Sequence, residues 1–282
     1  LALFTQFGLL ATMAMSFGLP PALVHFIAAG KIAKEHVMSL LLMVTLIGFV
    51  LLIPALLFVH AIQFAFPILP DVMMSGMRWT AFIILYLLLV MGNNFFTSLL
   101  QAEGRFRRSG SIQVVGSLFL LSAYAWRYVA APSPVNDILV YLVIAMGIGQ
   151  AIQWVAQLIS IVKQYPAYFH LHIASFKVLN PMMNFAFLAY STNLIQFLSY
   201  KLDTWLVNYF HGNQPTGIYA LAVSLSQMIW LLPSAVQAVL FSFLSTHFDR
   251  SLDRQKTLKT TQQLGMYALA ASVAGYFLSI YV

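Results

Sequence analysis

Apolar residues in this chain come in long blocks, separated by short breaks that are polar and often basic. The blocks predict eight helical spans: about Leu1 to Ile27, Val37 to Phe64, Trp79 to Leu100, Ser111 to Ala131, Ile138 to Val162, Pro181 to Phe210, Gly217 to Ser245, and Leu264 onward. Several exceed the roughly 18 apolar residues that cross a hydrocarbon core about 30 Å thick. They lack the period-two alternation of barrel strands, so the spans are helices. The first span is interrupted near Gly18 to Pro21, and Pro233 lies within the seventh. A membrane helix tolerates such breaks where a neighbour or a cavity takes up the freed carbonyls.

Composition sharpens this pattern into a class. Of 282 residues, 61% are hydrophobic and 7% charged, against about 25% charged in a soluble domain, and mean hydropathy is +0.86. A soluble protein of this size has too much surface to wet to hide that many apolar groups. The expected fold is an all-α integral membrane protein, a polytopic helical bundle. The absence of cysteine excludes disulfides and thiolate metal sites. The sequence opens and closes inside apolar blocks, which reads as part of a longer protein, with at least one helix expected upstream and several downstream.

The connections alternate in charge. One set holds Lys31 and Lys34; Arg105, Arg107 and Arg108; Lys163 and Lys177; and Arg250, Arg254, Lys256 and Lys259. The other holds Arg78 and Arg127 alone, with none between His211 and Thr216. Eleven cations against two place the first set in the cytoplasm by the positive-inside bias. The net charge of +7 therefore reports topology. Nucleic acid is a poor partner for cations spread over separate loops.

A short repeat adds organisation. Leu19-Pro20-Pro21-Ala22-Leu23 recurs as Leu232-Pro233-Ser234-Ala235-Val236. Each copy lies in a span running inward and precedes a basic loop. The copies are six spans apart, so the repeat is parallel, related by an axis along the membrane normal.

The segment GLPPALVHFIAAGK (Gly18 to Lys31) resembles the second helix of polysaccharide-export flippases. The run from Leu202 to Ser245, most specifically Gly217-Ile218-Tyr219 through Leu231-Leu232-Pro233, resembles their seventh and eighth helices. The family is the Wzx-type O-antigen and lipid-linked oligosaccharide flippases, within the multidrug/oligosaccharidyl-lipid/polysaccharide exporter superfamily. This resemblance implies twelve to fourteen helices in two pseudo-symmetric halves. Residues 1–162 would be the N-terminal half without its first helix, 163–180 a cytoplasmic linker, and 181–282 the start of the C-terminal half. It implies alternating access in a bacterial cytoplasmic (inner) membrane. The cargo would be an undecaprenyl-diphosphate-linked O-antigen or exopolysaccharide unit, with other polysaccharide-assembly proteins and the phospholipid bilayer as partners. Pro20, Pro21 and Pro233 would be hinges. One departure is Ser242, where such proteins often carry proline.

Polar residues inside the spans are the candidate chemistry. Asp203 lies eight residues from the outer end of its span, about 12 Å deep at 1.5 Å per residue. An acid there is costly unless it faces water, a partner or a cavity. Gln196, Tyr200 and Asp203 share one helical face, with Asn193 one turn further in. The alternatives are a cavity lining and a structural hydrogen-bonded acid. Lys201 points away from Asp203 and shares a face with Thr204 and Asn208; it is either a cation for a lipid diphosphate or a lysine snorkelling to outer headgroups. Gln227, Trp230, Ser234 and Gln237 form one polar stripe; Gln150, Gln153, Trp154 and Gln157 form another, and Asn93, Asn94 and Gln101 take the same reading. Amides and indoles suit sugar hydroxyls, and they suit interhelical hydrogen bonds equally well. His25 is a titratable or a structural histidine.

No metal-ligand cluster or nucleotide loop appears in the sequence. The chain reads as a transporter and not an enzyme, without a cofactor, drawing on the substrate's own gradient or on H+ or Na+ as coupling ion. The rivals are a multidrug cation antiporter, which would want more intramembrane acids, and a membrane-embedded glycosyltransferase or polymerase, which would want a large outer loop.

Overall fold

The computed structural model describes residues 2–40, 77–130, 135–169 and 176–227, with scattered positions between 42 and 50 and between 234 and 266. Among the described residues every regular element is helical. They are α1 (Ala2–Ser16), α2 (Leu19–Ala28), α3 (Met77–Ala102), α4 (Phe106–Ala130), α5 (Val135–Gln164), α6 (Phe176–His211) and α7 (Asn213–Gln227), with 3-10 turns at Lys34–His36 and Pro166–Phe169. Ala81–Ala102 and Val140–Gln164 are long and apolar enough to cross a membrane, and α1 with α2, bent by 52°, passes the same test when the pair is taken together as a broken span or a re-entrant loop. At 25 and 36 residues, α4 and α6 also exceed the length of a bilayer core at 1.5 Å per residue. Arginines at the ends of α4, and Lys177, Lys201 and Asp203 in α6, dilute their hydropathy.

The first span breaks at Phe17 and Gly18, whose φ angles are 46° and 70°. The two prolines sit in the first turn of α2, where no intrahelical donor is lost. They therefore start the second segment, and the left-handed pair before them makes the bend. Gly18 also lies on the backbone of α6: a Cβ there would fall 2.1 Å from the Ala186 carbonyl oxygen and 2.7 Å from the Tyr190 nitrogen. Phe17 stacks on Tyr190 with centroids 5.1 Å apart. Beyond the break, His25 stacks on Phe185 at 5.0 Å and 12°. This aromatic contact gives His25 a structural place between α2 and α6.

Helices α3, α4 and α5 form a second unit, joined to α6 through α1 and α2. Lipid tails are as apolar as leucine, so close packing holds such a unit together. Gly92 lies against the Trp154 indole and Gly116 against the Gln153 side chain; a Cβ would come within 2.4 Å and 2.0 Å of them. Leu87, Leu99, Leu100 and Ile161 are fully buried in the resulting core with Met15, Leu19, Leu23 and Met182.

Two boundaries differ from the sequence expectation. Helix α6 begins at Phe176 and carries Pro181 inside it. The connection expected over 211–216 is a turn on Gly212 alone, with φ 77°. Pro215 fits the first turn of α7. Asn208 Nδ2 donates to Asn213 Oδ1 and Thr216 Oγ1 at 2.9 and 3.3 Å, and Thr216 Oγ1 donates to the Gly212 carbonyl at 2.6 Å. These side chains satisfy the turn's backbone without a longer loop. Most of the second repeat copy, Pro233 included, as well as Trp230 and nearly all of the eighth span lie outside the described residues.

Three of the expected basic connections meet on one side of the bundle. Helix α3 ends at Gly104, φ 70°, with Arg105 N donating to the Leu100 carbonyl and Gly104 N to that of Gln101, a left-handed glycine termination. The turn delivers Glu103 to Lys34 at 2.6 Å and to the hydroxyl of Tyr168. Lys34 Nζ lies 5.0 and 5.6 Å from the ring centroids of Tyr165 and Tyr168. Arg105 Nε donates to Tyr165 Oη at 3.2 Å, which raises the guanidinium's affinity for its proton. Burial, and then the bond to Glu103, push the Tyr168 hydroxyl well above its ordinary range.

Candidate functional site

The charged residues expected within the sixth span lie in the hairpin of α6 and α7. Asp203 is half-buried and takes three donors. The Thr204 backbone N–H and hydroxyl donate to Oδ1 at 2.6 and 3.3 Å, and Tyr219 Oη donates to Oδ2 at 2.6 Å. Lys201 Nζ donates to Gln227 Oε1 at 2.9 Å. Two rungs thus tie α6 to α7, one anionic and one cationic, on different sides of the helix as the sequence spacing requires.

Lys201 is 11 residues from the Gly212 turn and Gln227 is 15. The lysine therefore reaches about 6 Å further from that turn at 1.5 Å per residue, away from the hairpin tip. Thr204 and Asn208, on its face, are buried.

The remaining candidates are dispersed. Gln196 and Tyr200 are exposed, Asn193 is half-buried, and Gln237 is exposed beyond α7. Pro20 and Pro21 are half-buried beside the Phe17–Gly18 break. Tyr219 was missed from the sequence, although it carries the second oxygen of Asp203. A signal existed: Asp203 and Tyr219 are each eight residues from His211, so a tight hairpin places them level.

The amide stripe of α5 has a different use. Asn93 Nδ2 donates to Gln150 Oε1 and to its carbonyl at 2.6 and 2.9 Å. Gln157 Nε2 donates to Thr97 Oγ1 at 3.0 Å. Here the interhelical reading holds: these amides join α3 to α5. Ser242, at the expected proline position, donates to the Gln101 carbonyl at 3.0 Å, a bond that proline could not make.

This architecture is that of an all-α membrane bundle. The chain matches the family described as lipid II flippase MurJ over residues 9–282. It belongs to that family. The lipid II flippase MurJ family sits in the superfamily that the sequence resemblance implied, under a different family from the Wzx-type flippases. Membership makes the chain a multi-pass inner-membrane transporter of the class that flips lipid-linked sugar precursors, and not an enzyme. Neither the curated proteins nor the solved structures contain a match to the chain.

Proposed function

We propose that this protein flips an undecaprenyl-diphosphate-linked glycan from the inner to the outer leaflet by alternating access, and that its cargo is lipid II. The observation that carries this reading is the family match over residues 9–282. The Asp203–Tyr219 and Lys201–Gln227 rungs supply what the match needs. On this reading they are an anion and a cation within a membrane span, where bare charges are costly and an ionisable residue marks a pathway by default. In this reading Lys201 meets the diphosphate, and Asp203 responds to the coupling ion, H+ or Na+. Residues 1–162 and 181–282 belong to the two halves, 163–180 link them, and the basic connections face the cytoplasm. Gln196, Tyr200, Asn193, Gln227, Trp230 and Gln237 line the path between the halves, which bend at Pro20, Pro21 and Pro233.

A second reading, an O-antigen or exopolysaccharide unit as cargo, is favoured by the segments Gly18 to Lys31 and Leu202 to Ser245. Both cargos share the lipid diphosphate and differ in the glycan. The test is complementation by the full-length protein. Rescue of growth in cells depleted of their own lipid II flippase supports the first reading. Restored O-antigen in a strain lacking its O-antigen flippase, without growth rescue in the first assay, supports the second. Failure in both, with the protein present in the membrane, overturns the proposal.

A further inference from the structure

The α3–α4–α5 unit contains more hydrogen-bonding atoms than it satisfies. Ser109 Oγ, Gln157 Oε1 and Asn93 Oδ1 are buried, and each lacks a hydrogen-bond partner among the described residues. Their side chains are 2%, 0% and 5% exposed. They come from three different helices of one packed unit: Ser109 from the first turn of α4, Gln157 from α5 and Asn93 from α3. Their depths are graded. Ser109 lies at the basic side, Gln157 is bonded to Thr97, and Asn93 lies one turn beyond Thr97 on α3, about 6 Å deeper at 1.5 Å per residue.

The chemistry of the three atoms identifies the missing ligand. Both amide nitrogens already donate, Asn93 to Gln150 and Gln157 to Thr97, and their oxygens are left over. Reversing either amide moves the vacancy to nitrogen and does not remove it. Thr97 Oγ1 already accepts from Gln157 and, at 3.5 Å, from Gln113, so it does not close the gap. The required ligand is small, neutral, and able both to donate and to accept. Water meets all three conditions, and buried water is the usual partner of otherwise unsatisfied interior groups. A bare cation would need several more oxygens, and the cluster is built of amides and hydroxyls without a carboxylate.

We propose that the α3–α4–α5 unit binds a short file of water molecules, entering beside Ser109 on the basic side and reaching past Gln157 to Asn93. The unit is then wet along one internal line and dry on the faces next to it. Leu99 and Met91, also on α3, are buried at 1% and 2% exposure and mark the dry side. This inference concerns the interior of one unit and is independent of the cargo.

A thiol reacts as its thiolate, which forms where water solvates it. Single cysteines at Ser109, Thr97, Gln157, Leu99 and Met91 are placed in the full-length protein, kept free of other cysteines, in membranes open on both sides. They are probed with Ag+, which is of a size to travel with water, and with a bulky maleimide. Expected is Ag+ reaction at Ser109→Cys, Thr97→Cys and Gln157→Cys at least about tenfold faster than at Leu99→Cys and Met91→Cys, with the maleimide slow at all five. Ser109→Cys exchanges one hydroxyl for a thiol, so it keeps the test readable if Gln157→Cys lowers the folded fraction. Equal Ag+ rates at the polar and apolar positions would overturn the proposal. So would fast maleimide labelling at Gln157→Cys, which would mean an open cleft.

Discussion

The α3–α4–α5 unit and the α6–α7 hairpin both bury polar side chains in an apolar bundle, and they do so with different chemistry. In the three-helix unit the interior polar groups are neutral amides and hydroxyls. They bond across helices that glycines allow to approach closely, and the cations stand at the rims. In the hairpin the interior groups include a carboxylate and an ammonium, each held by one neutral partner on α7. Neutral groups within hydrocarbon are affordable as glue. Charges at the same depth cost several kcal/mol on insertion scales, so keeping them calls for a use beyond adhesion. On the proposed reading the first region is scaffold and the second is the site.

The largest effect is expected where the two regions join. Gly18→Val puts a branched Cβ onto the Ala186 carbonyl at a left-handed φ, and both the clash and the backbone strain oppose folding. A loss of about 3 kcal/mol or more is expected, read as loss of monodisperse protein. Retention of normal yield and melting temperature would show that α2 and α6 separate at no cost.

Next in size is the effect of the hairpin charges on transport. Lys201→Ala should reduce flipping by about tenfold or more at matched protein level, the factor carried by about 1.4 kcal/mol. A snorkelling lysine would leave flipping unchanged. In the three-helix unit, Thr97→Val removes the acceptor of Gln157 and should cost about 1–2 kcal/mol of stability. Flipping per folded molecule should stay within twofold of wild type, roughly the scatter expected of a residue outside the pathway. If Thr97→Val abolished flipping in folded protein, the division of labour would fail.

The smallest effect belongs to the clasp on the basic side. The fold raises the Tyr168 hydroxyl above its ordinary value, so it favours the neutral form. That contribution is intact below about pH 10, the unfolded value for tyrosine, and is lost as pH rises above it. Wild-type melting temperature should therefore fall more steeply above about pH 10 than that of Tyr168→Phe. Parallel curves would remove Tyr168 from the clasp.

Much of this was legible in the sequence. The spans are set by runs of apolar residues, so α3, α4, α5 and α6 fall within a few residues of expectation. The interruption near Gly18 was legible because a glycine before two prolines is a local signal. The fit of Gly18 against the backbone of α6 was not, since it brings together residues 168 positions apart. The distance of Asp203 from the hairpin turn followed from counting residues. Its partner Tyr219, the pairing of Lys201 with Gln227, and the gathering of Lys34, Glu103 and Tyr168 were not read, because helical spacing fixes which residues share a face and leaves open which face meets which neighbour. The amide stripe shows the same limit, since its spacing fitted sugar recognition and helix adhesion alike until α3 was seen against α5.

The central claim is that the α6–α7 hairpin is a working site, and Asp203→Asn tests it most directly. Asparagine keeps the shape and can still accept from Tyr219, so the hairpin should assemble and the protein should reach the membrane at wild-type level. The account predicts that full-length Asp203→Asn, at that matched level, loses about tenfold or more of its flipping rate for the lipid-linked glycan in reconstituted vesicles. Flipping at the wild-type rate would contradict it and return Asp203 to the role of a structural hydrogen-bonded acid.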